Sequence, residues 1–126
     1  MTLPRGGGSN CSVNTTPTAS SFNYSDDGSC HLTGTGDRQN AGDPMLAALA
    51  DNSGSVATRL PLPGSPLLDA IPPTSCQADG ATGITTDERG LPRPDPGAPT
   101  CDIGAVEVQA PAGPSVAVVA TPNFTG

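Results

Sequence analysis

Lysine and tryptophan are both absent from this chain, and the missing lysine restricts its partners. All five cationic side chains are arginines, and with twelve acidic residues they leave a formal net charge of −7. Nucleic acids and anionic membranes attract basic surfaces, so neither is an expected partner. The acidity is instead typical of a secreted protein, because a high net charge keeps a protein soluble.

Aromatic residues are also scarce, at 2% of the chain. A core built from Leu, Ile and Val alone is thin for 126 residues, so the fold needs a further source of stability. The 16 glycines and 15 prolines approach the level of low-complexity sequence. A free-standing disordered secreted chain is therefore one alternative to a folded domain.

Four cysteines offer that further stability, because an even number in a small, loop-rich chain favours disulfides. Three pairings are open, and the most economical joins Cys11 to Cys30 and Cys76 to Cys101. Each bond would close a loop of about 20 to 26 residues, worth about 3 kcal/mol by chain entropy. No C-x2-C pair exists and the single histidine, His31, adjoins a cysteine, so we expect neither a metal site nor a cofactor.

Long apolar runs are missing as well. No stretch approaches the roughly 18 residues of a transmembrane helix, so direct membrane insertion is not expected. Residues 1–8 lack the apolar segment of a signal peptide, whereas the cysteines favour an extracellular compartment. We therefore expect the chain to be a piece of a longer protein.

Regular elements are few in the pattern of residues. Asp43 suits a helix N-cap and Pro44 a first helical position, and apolar residues at spacings of three and four predict a short helix over residues 43–51. Residues 56–62 alternate like a half-buried strand, which a proline places at an edge. Residues 101–108 predict a last strand that changes phase at a glycine, as at a bulge. The pattern indicates an irregular, mainly β fold.

Short motifs follow one another along residues 10–108 in a fixed order. They are Asn10-Cys11, Ser25-Asp-Asp-Gly-Ser-Cys30, Gly34-Thr-Gly-Asp37, Asp43-Pro-Met-Leu46, Leu49-Ala-Asp-Asn52, Leu62-Pro-Gly-Ser-Pro-Leu-Leu-Asp-Ala70, Thr86-Asp-Glu-Arg-Gly-Leu-Pro-Arg-Pro94 and Cys101-Asp-Ile-Gly-Ala-Val-Glu107. This series resembles the choice-of-anchor Q domain, which lies at the C-terminal side of bacterial secreted proteins with right-handed parallel β-helix repeats.

The resemblance implies a mainly β fold of short strands, long loops and one short helix at the C-terminal end, or cap, of a right-handed parallel β-helix. It implies no catalytic residues, and its expected partners are the preceding coils of the same polypeptide and a cell-surface anchor or carbohydrate. The chain then divides into a flexible part or last β-helix turn (1–21), the choice-of-anchor Q-like domain (22–108), a Pro/Ala/Gly linker (109–115) and the start of a following segment (116–126).

The charged residues from position 69 onwards lie in turn contexts that favour a structural role. Arginine forks can fasten loops that lack apolar packing, and the candidates for such ion pairs are Asp69, Asp87, Arg89, Arg93 and Asp102. Specifically, we expect Arg89 to bridge Asp102 or Asp69, so that Arg89→Ala lowers stability by more than about 1 kcal/mol.

Two readings of the carboxylates compete with that role. A pair among Asp69, Asp87, Asp102 and Glu107 could serve acid–base chemistry on sugars. A separate alternative is that the chain is the non-catalytic C-terminal part of a carbohydrate-active β-helix enzyme, a lyase or hydrolase, whose catalytic pair lies upstream. Asp26, Asp27 and Asp37 lie in glycine-rich loops of the kind that bind calcium, but they fit no known calcium-loop spacing. We expect an extracellular or cell-surface structural region rather than an enzyme.

Overall fold

Regular secondary structure is sparse in this chain. The structure is a computed structural model, and the residues that it describes are 8–12, 15, 21–76 and 84–111. They contain one short helix, α1 (Pro73–Cys76), and six isolated β-bridges. The mainly β class stays a prediction, because no bridge in these ranges extends into a sheet. The segment expected at 116–126, and most of the one expected at 1–21, lie outside the described residues.

Two disulfides close neighbouring loops. Cys11 is bonded to Cys30 and Cys76 to Cys101, across sequence separations of 19 and 25 residues. These are the two pairings that their spacing favours. Cys30 and Cys101 are buried, so each bond reaches into the interior of the loop region that it closes.

A parallel pair of short segments lies near the N-terminal end of the described chain. Its bridges join Ser21 with Thr35 and Tyr24 with Arg38. The two bridges share one register of fourteen residues, and the Phe22 amide donates to the Thr35 carbonyl at 3.0 Å. The intervening loop contains no helix and carries Cys30, which the first disulfide bonds to Cys11.

The helix predicted over residues 43–51 is wrong, because this segment is extended and pairs with the following one. The bridges are antiparallel, from Leu46 to Pro61 and from Ala50 to Thr58. The arm from Leu46 to Ala50 has one residue more between its two bridges than the arm from Thr58 to Pro61. This extra residue makes a β-bulge. Two helical turns are too short to be stable alone in water, whereas the hairpin satisfies main-chain groups on both of its arms.

The interior of the described chain holds more polar than apolar side chains. The buried apolar residues of the described chain are Cys30, Leu67, Cys101, Ile103 and Val106. The buried polar residues are Ser25, Thr58, Ser65, Asp87, Asp95, Asp102 and Glu107. A thin apolar core is what the composition predicts, and buried hydrogen-bonding groups supplement it.

The last described segment wraps the core instead of alternating. Cys101 pairs with Ile71 in an antiparallel bridge, with main-chain bonds of 2.9 and 3.0 Å in both directions. The chain then bends at Gly104, whose φ of 121° is one that residues with a side chain rarely adopt. The strand predicted over residues 101–108 is therefore wrong beyond the bridge at Cys101, because a sharp bend at Gly104 replaces it and returns Val106 and Glu107 to the interior.

Candidate functional site

The charged side chains meet where a tight turn packs against residues 101–107. The Asp87 amide closes this turn by donating to the Leu91 carbonyl at 2.8 Å. The Glu88 amide attaches the turn by donating to the Ala105 carbonyl at 3.0 Å. The side chains that converge there, called the carboxylate cluster below, are Asp87, Arg89, Arg93, Asp102 and Glu107.

Asp87 is the most heavily bonded member of the carboxylate cluster. Its Oδ1 accepts from the Arg89 and Leu91 amides at 2.8 and 3.1 Å. Its Oδ2 accepts from the Arg89 guanidinium at 2.7 and 2.9 Å and from the Glu107 amide at 3.0 Å. Burial alone would raise the pKa of Asp87, but these amide and guanidinium donors outweigh burial and the pKa is lowered. The ionised form is therefore the one that the fold uses.

Glu107 is the most buried acid, at 1% exposure. Its Oε2 accepts from the Asp102 amide at 3.0 Å and lies 3.5 Å from Nη1 of Arg93. Burial, aided by the negative charge of Asp102, raises the pKa of Glu107 against the opposing effect of the Asp102 amide and Arg93. Glu107 therefore takes up a proton more readily than Asp87 does.

Asp102 uses both carboxylate oxygens on main-chain amides. Oδ1 accepts from the Asp69 amide and Oδ2 from the Val108 amide, each at 2.7 Å. The Asp69 carboxylate in turn accepts from the Thr100 hydroxyl. Neither aspartate forms an ion pair within the described ranges, so the prediction of that role for Asp69 and Asp102 is wrong. They fasten the main chain as acceptors of neutral donors.

The predicted partner of Arg89 is also wrong. Arg89 pairs with Asp87, two residues earlier in the same turn, and its Nη2 donates to the Glu107 carbonyl at 2.7 Å. Asp102 lies elsewhere in the cluster, where Arg93 contacts its carbonyl oxygen at 2.7 Å. Arg89 and Arg93 each form an ion pair, Arg89 with Asp87 and Arg93 with Glu107.

All four arginines that the structure describes donate to main-chain carbonyls. Arg38 reaches Pro66 and Arg59 reaches Ala47, at 2.9 and 3.2 Å. Arg89 and Arg93 do the same within the carboxylate cluster. The guanidinium groups thus bind main-chain carbonyls of segments that form no sheet, which is a structural use of charge.

The acidic loop that was weighed as a calcium site serves the N-terminal segment. Asp27 accepts from the Ser29 hydroxyl and amide and from the Asn10 amide, and these donors lower its pKa to about 2. Asp37 accepts from the Gly34 amide at 2.8 Å. The structure brings no three His, Cys, Asp or Glu side chains of the described chain into a metal-binding group.

Two open cavities flank the carboxylate cluster. The first, of about 430 Å³, includes Phe22, Ile71, Ser75 and Arg93 in its walls. The second, of about 370 Å³, is an apolar groove between the hairpin and the bend at Gly104. Arg93 belongs to both the cluster and the wall of the first cavity, whereas Arg59 and Glu88 lie in the wall of the second.

Sequence reasoning left two buried acids out of the ion-pair set. Glu107 was considered only as an alternative acid or base, and nothing in the spacing of Ile-Gly-Ala-Val-Glu marks it as buried. Asp95 is 7% exposed, and its Oδ2 accepts from the Gly97 amide at 3.2 Å. The Asp-Pro-Gly turn was the available signal for Asp95, because aspartate side chains bond to the main chain two residues on.

Comparison with known proteins adds no relative: no family profile, curated protein or solved structure matches this chain. The two disulfides fit an oxidising compartment outside the cytosol. None of the helices formed by the described residues is long and apolar enough to cross a membrane.

Proposed function

We propose that this chain is a non-catalytic structural region of a secreted or cell-surface protein, which caps a right-handed parallel β-helix and connects it to a surface anchor. Solenoids stack their coils by parallel pairing and need a terminal unit that covers the last coil. An uncovered coil presents a row of main-chain donors and acceptors to other chains. The cap supplies that cover, and the following linker leads to the anchor.

The parallel pair carries this proposal. Its two bridges keep the same fourteen-residue register, from Ser21 to Thr35 and from Tyr24 to Arg38. Successive coils of a solenoid pair in this way, whereas a hairpin reverses the chain and pairs it antiparallel. The first segment of the pair would therefore receive the last upstream coil, and the second would begin the irregular part of the cap.

The way in which the loops are fastened supports a structural rather than a catalytic role. The most buried carboxylates, Glu107 and Asp102, accept from main-chain amides. The guanidinium groups of the described arginines donate to main-chain carbonyls. Charged groups bound to backbone in this way position loops, and the two disulfides complete the fastening.

The test is to locate the natural protein and measure its mass. An antibody against residues 43–70, which the structure describes in full, is used on cytosolic, cell-surface and culture fractions under non-reducing conditions. We expect the signal at the surface or in the medium, on a chain much larger than 12.4 kDa, with coil repeats preceding this region. A cytosolic protein with four free thiols would refute the proposal, as would a secreted 12.4 kDa chain with no solenoid.

A further inference from the structure

The first cavity has the size and lining of a binding site for a small polar molecule. Its volume of about 430 Å³ falls within the range of about 300 to 1,000 Å³ that is usual for small-molecule sites. Its walls come from both ends of the described chain, which the two disulfides hold. The lining residues are Ser21, Phe22, Thr35, Ile71, Ser75, Cys76, Ile84, Arg93 and Gly104.

The charge of this lining favours an anion. Among the described residues Arg93 is its one charged member, although the whole chain has twelve acidic residues. The guanidinium is fixed by bonds to the Gly104 and Asp102 carbonyls at 3.0 and 2.7 Å. These bonds use two of its five N–H groups, and Nη1 also lies 3.5 Å from Oε2 of Glu107, which is not part of the lining. A positioned guanidinium of this kind recognises carboxylates.

One wall of the cavity offers an aromatic face. Phe22 has a φ of 53°, which bulky side chains rarely adopt, and its ring packs directly on Gly36. A Cβ at Gly36 would collide with the ring, so the glycine is what allows this placement. The π face of an aromatic ring is negative and attracts the polarised C–H groups of a saturated ring. Phe22 can therefore take the flat face of a sugar.

Three hydroxyl groups complete the lining. Ser21, Thr35 and Ser75 each present a hydroxyl that makes no side-chain hydrogen bond to the part of the chain that the structure describes. Each hydroxyl can donate one hydrogen bond and accept two. A ligand with several hydroxyl groups of its own would satisfy them, which an aliphatic or aromatic acid would not.

We propose that this cavity binds a sugar acid, with the carboxylate at Arg93, the C–H face of the ring against Phe22 and the sugar hydroxyls at the three hydroxyl side chains. The two sources of that chemistry are a free sugar acid and the acidic end residue of a polysaccharide. The site shares Ser21, Phe22 and Thr35 with the parallel pair, but ligand binding is measured separately from the capping role.

The test is an NMR titration of the full, oxidised 126-residue chain with D-glucuronate. We expect amide shifts at Phe22, Thr35, Ser75 and Gly104 that saturate with a Kd of about 1 mM. D-glucose, which has the same ring without the carboxylate, should bind at least about tenfold more weakly, because it loses the charge-assisted bonds. Absence of shifts at D-glucuronate concentrations up to about 20 mM, or equal binding of D-glucose, would overturn the proposal.

Variants separate the site from general stability. Arg93→Lys keeps the charge but loses the planar fork, and we expect binding to weaken at least about tenfold. Arg59→Lys is the matched control at an arginine outside this cavity, and it should bind like the parent chain. If Arg93→Lys does not fold, Phe22→Leu decides, since it removes only the aromatic face and should weaken binding about fivefold. Unchanged affinity in Phe22→Leu or in a folded Arg93→Lys would refute the site.

A trisaccharide that ends in glucuronate distinguishes the two sources. Binding as tight as that of the free acid would assign the cavity to a polysaccharide end. Binding of the free acid alone would assign it to a free sugar acid, and both results support the shared chemistry. Rejection of both probes would remove the proposal while leaving the capping role untouched, because the localisation and mass of the natural protein test that role separately.

Discussion

Asp87→Asn is the substitution that most directly tests whether the carboxylate cluster holds this fold together. The change removes the charge and converts one acceptor oxygen into an NH2 donor. Whichever way the new amide is turned, that donor faces main-chain or guanidinium N–H groups of Arg89, Leu91 and Glu107. At least one buried donor then loses its acceptor, and the Arg89 guanidinium loses its ion pair.

The size of the effect follows from burial. Asp87 is 7% exposed and Glu107 is 1% exposed, so water has little access to replace the lost contacts. An unsatisfied buried donor costs about 1–3 kcal/mol, and breaking a buried ion pair about 3–5 kcal/mol. Arg89 retains its 2.7 Å bond to the Glu107 carbonyl, so we take the lower end of these ranges. The expected loss is about 3 kcal/mol of the free energy of unfolding.

Urea unfolding, followed by NMR because the chain has no tryptophan, measures this loss. With an m-value of about 1.5 kcal/mol per M, the midpoint should fall by about 2 M. Asp51→Asn is the matched control, since Asp51 is exposed and, among the described residues, accepts only from the amide of Ser53, two residues on. If the two variants unfold within about 0.5 kcal/mol of each other, the reasoning about the cluster is refuted.

Three further perturbations test other features. Burial raises the pKa of Glu107, so the folded chain binds this proton more tightly than the unfolded chain and stability falls as pH rises above 4.5. Glu107→Gln should remove that fall from the pH profile of the urea midpoint, and an unchanged profile would contradict the assignment. Gly36→Ala should destabilise by at least about 1 kcal/mol more than Gly42→Ala, because both glycines have positive φ but only Gly36 lies under an aromatic ring; equal losses in thermal melts would count against that packing. Replacing Cys76 and Cys101 together by serine should lower stability by about 3 kcal/mol, and an unchanged melting temperature would exclude this role for the disulfide.

Local chemistry was readable from the sequence where neighbouring residues decide the structure. The disulfide pairings follow from short loop closure, and the bend at Gly104 follows from a break in alternation at a glycine. Both features depend on only a few consecutive residues or on a short separation. The resemblance to a β-helix cap remains a prediction.

Three features could not be predicted from the sequence: the pairing of residues 43–51, the partner of Arg89 and the helix α1. The pattern at residues 43–51 fits a helix, but this segment instead pairs antiparallel with the following one, through Leu46 and Pro61. Nothing in the local sequence indicates this pairing. The partner of Arg89 was missed for the opposite reason. Asp87 lies in the same turn, whereas the expectation looked for acceptors farther along the chain. The four-residue helix α1 is marked only by Pro73 at its first position.

The balance of polar and apolar groups in the interior has a thermal consequence. Exposure of apolar surface raises the heat capacity on unfolding, and exposure of polar surface lowers it. An interior in which Asp87, Asp95, Asp102 and Glu107 occupy places usually held by large aliphatic residues should therefore unfold with less than the usual value of about 12–15 cal/mol/K per residue. The free energy of unfolding then varies little with temperature. On cooling, this chain should lose less stability than a protein of equal size with an aliphatic core.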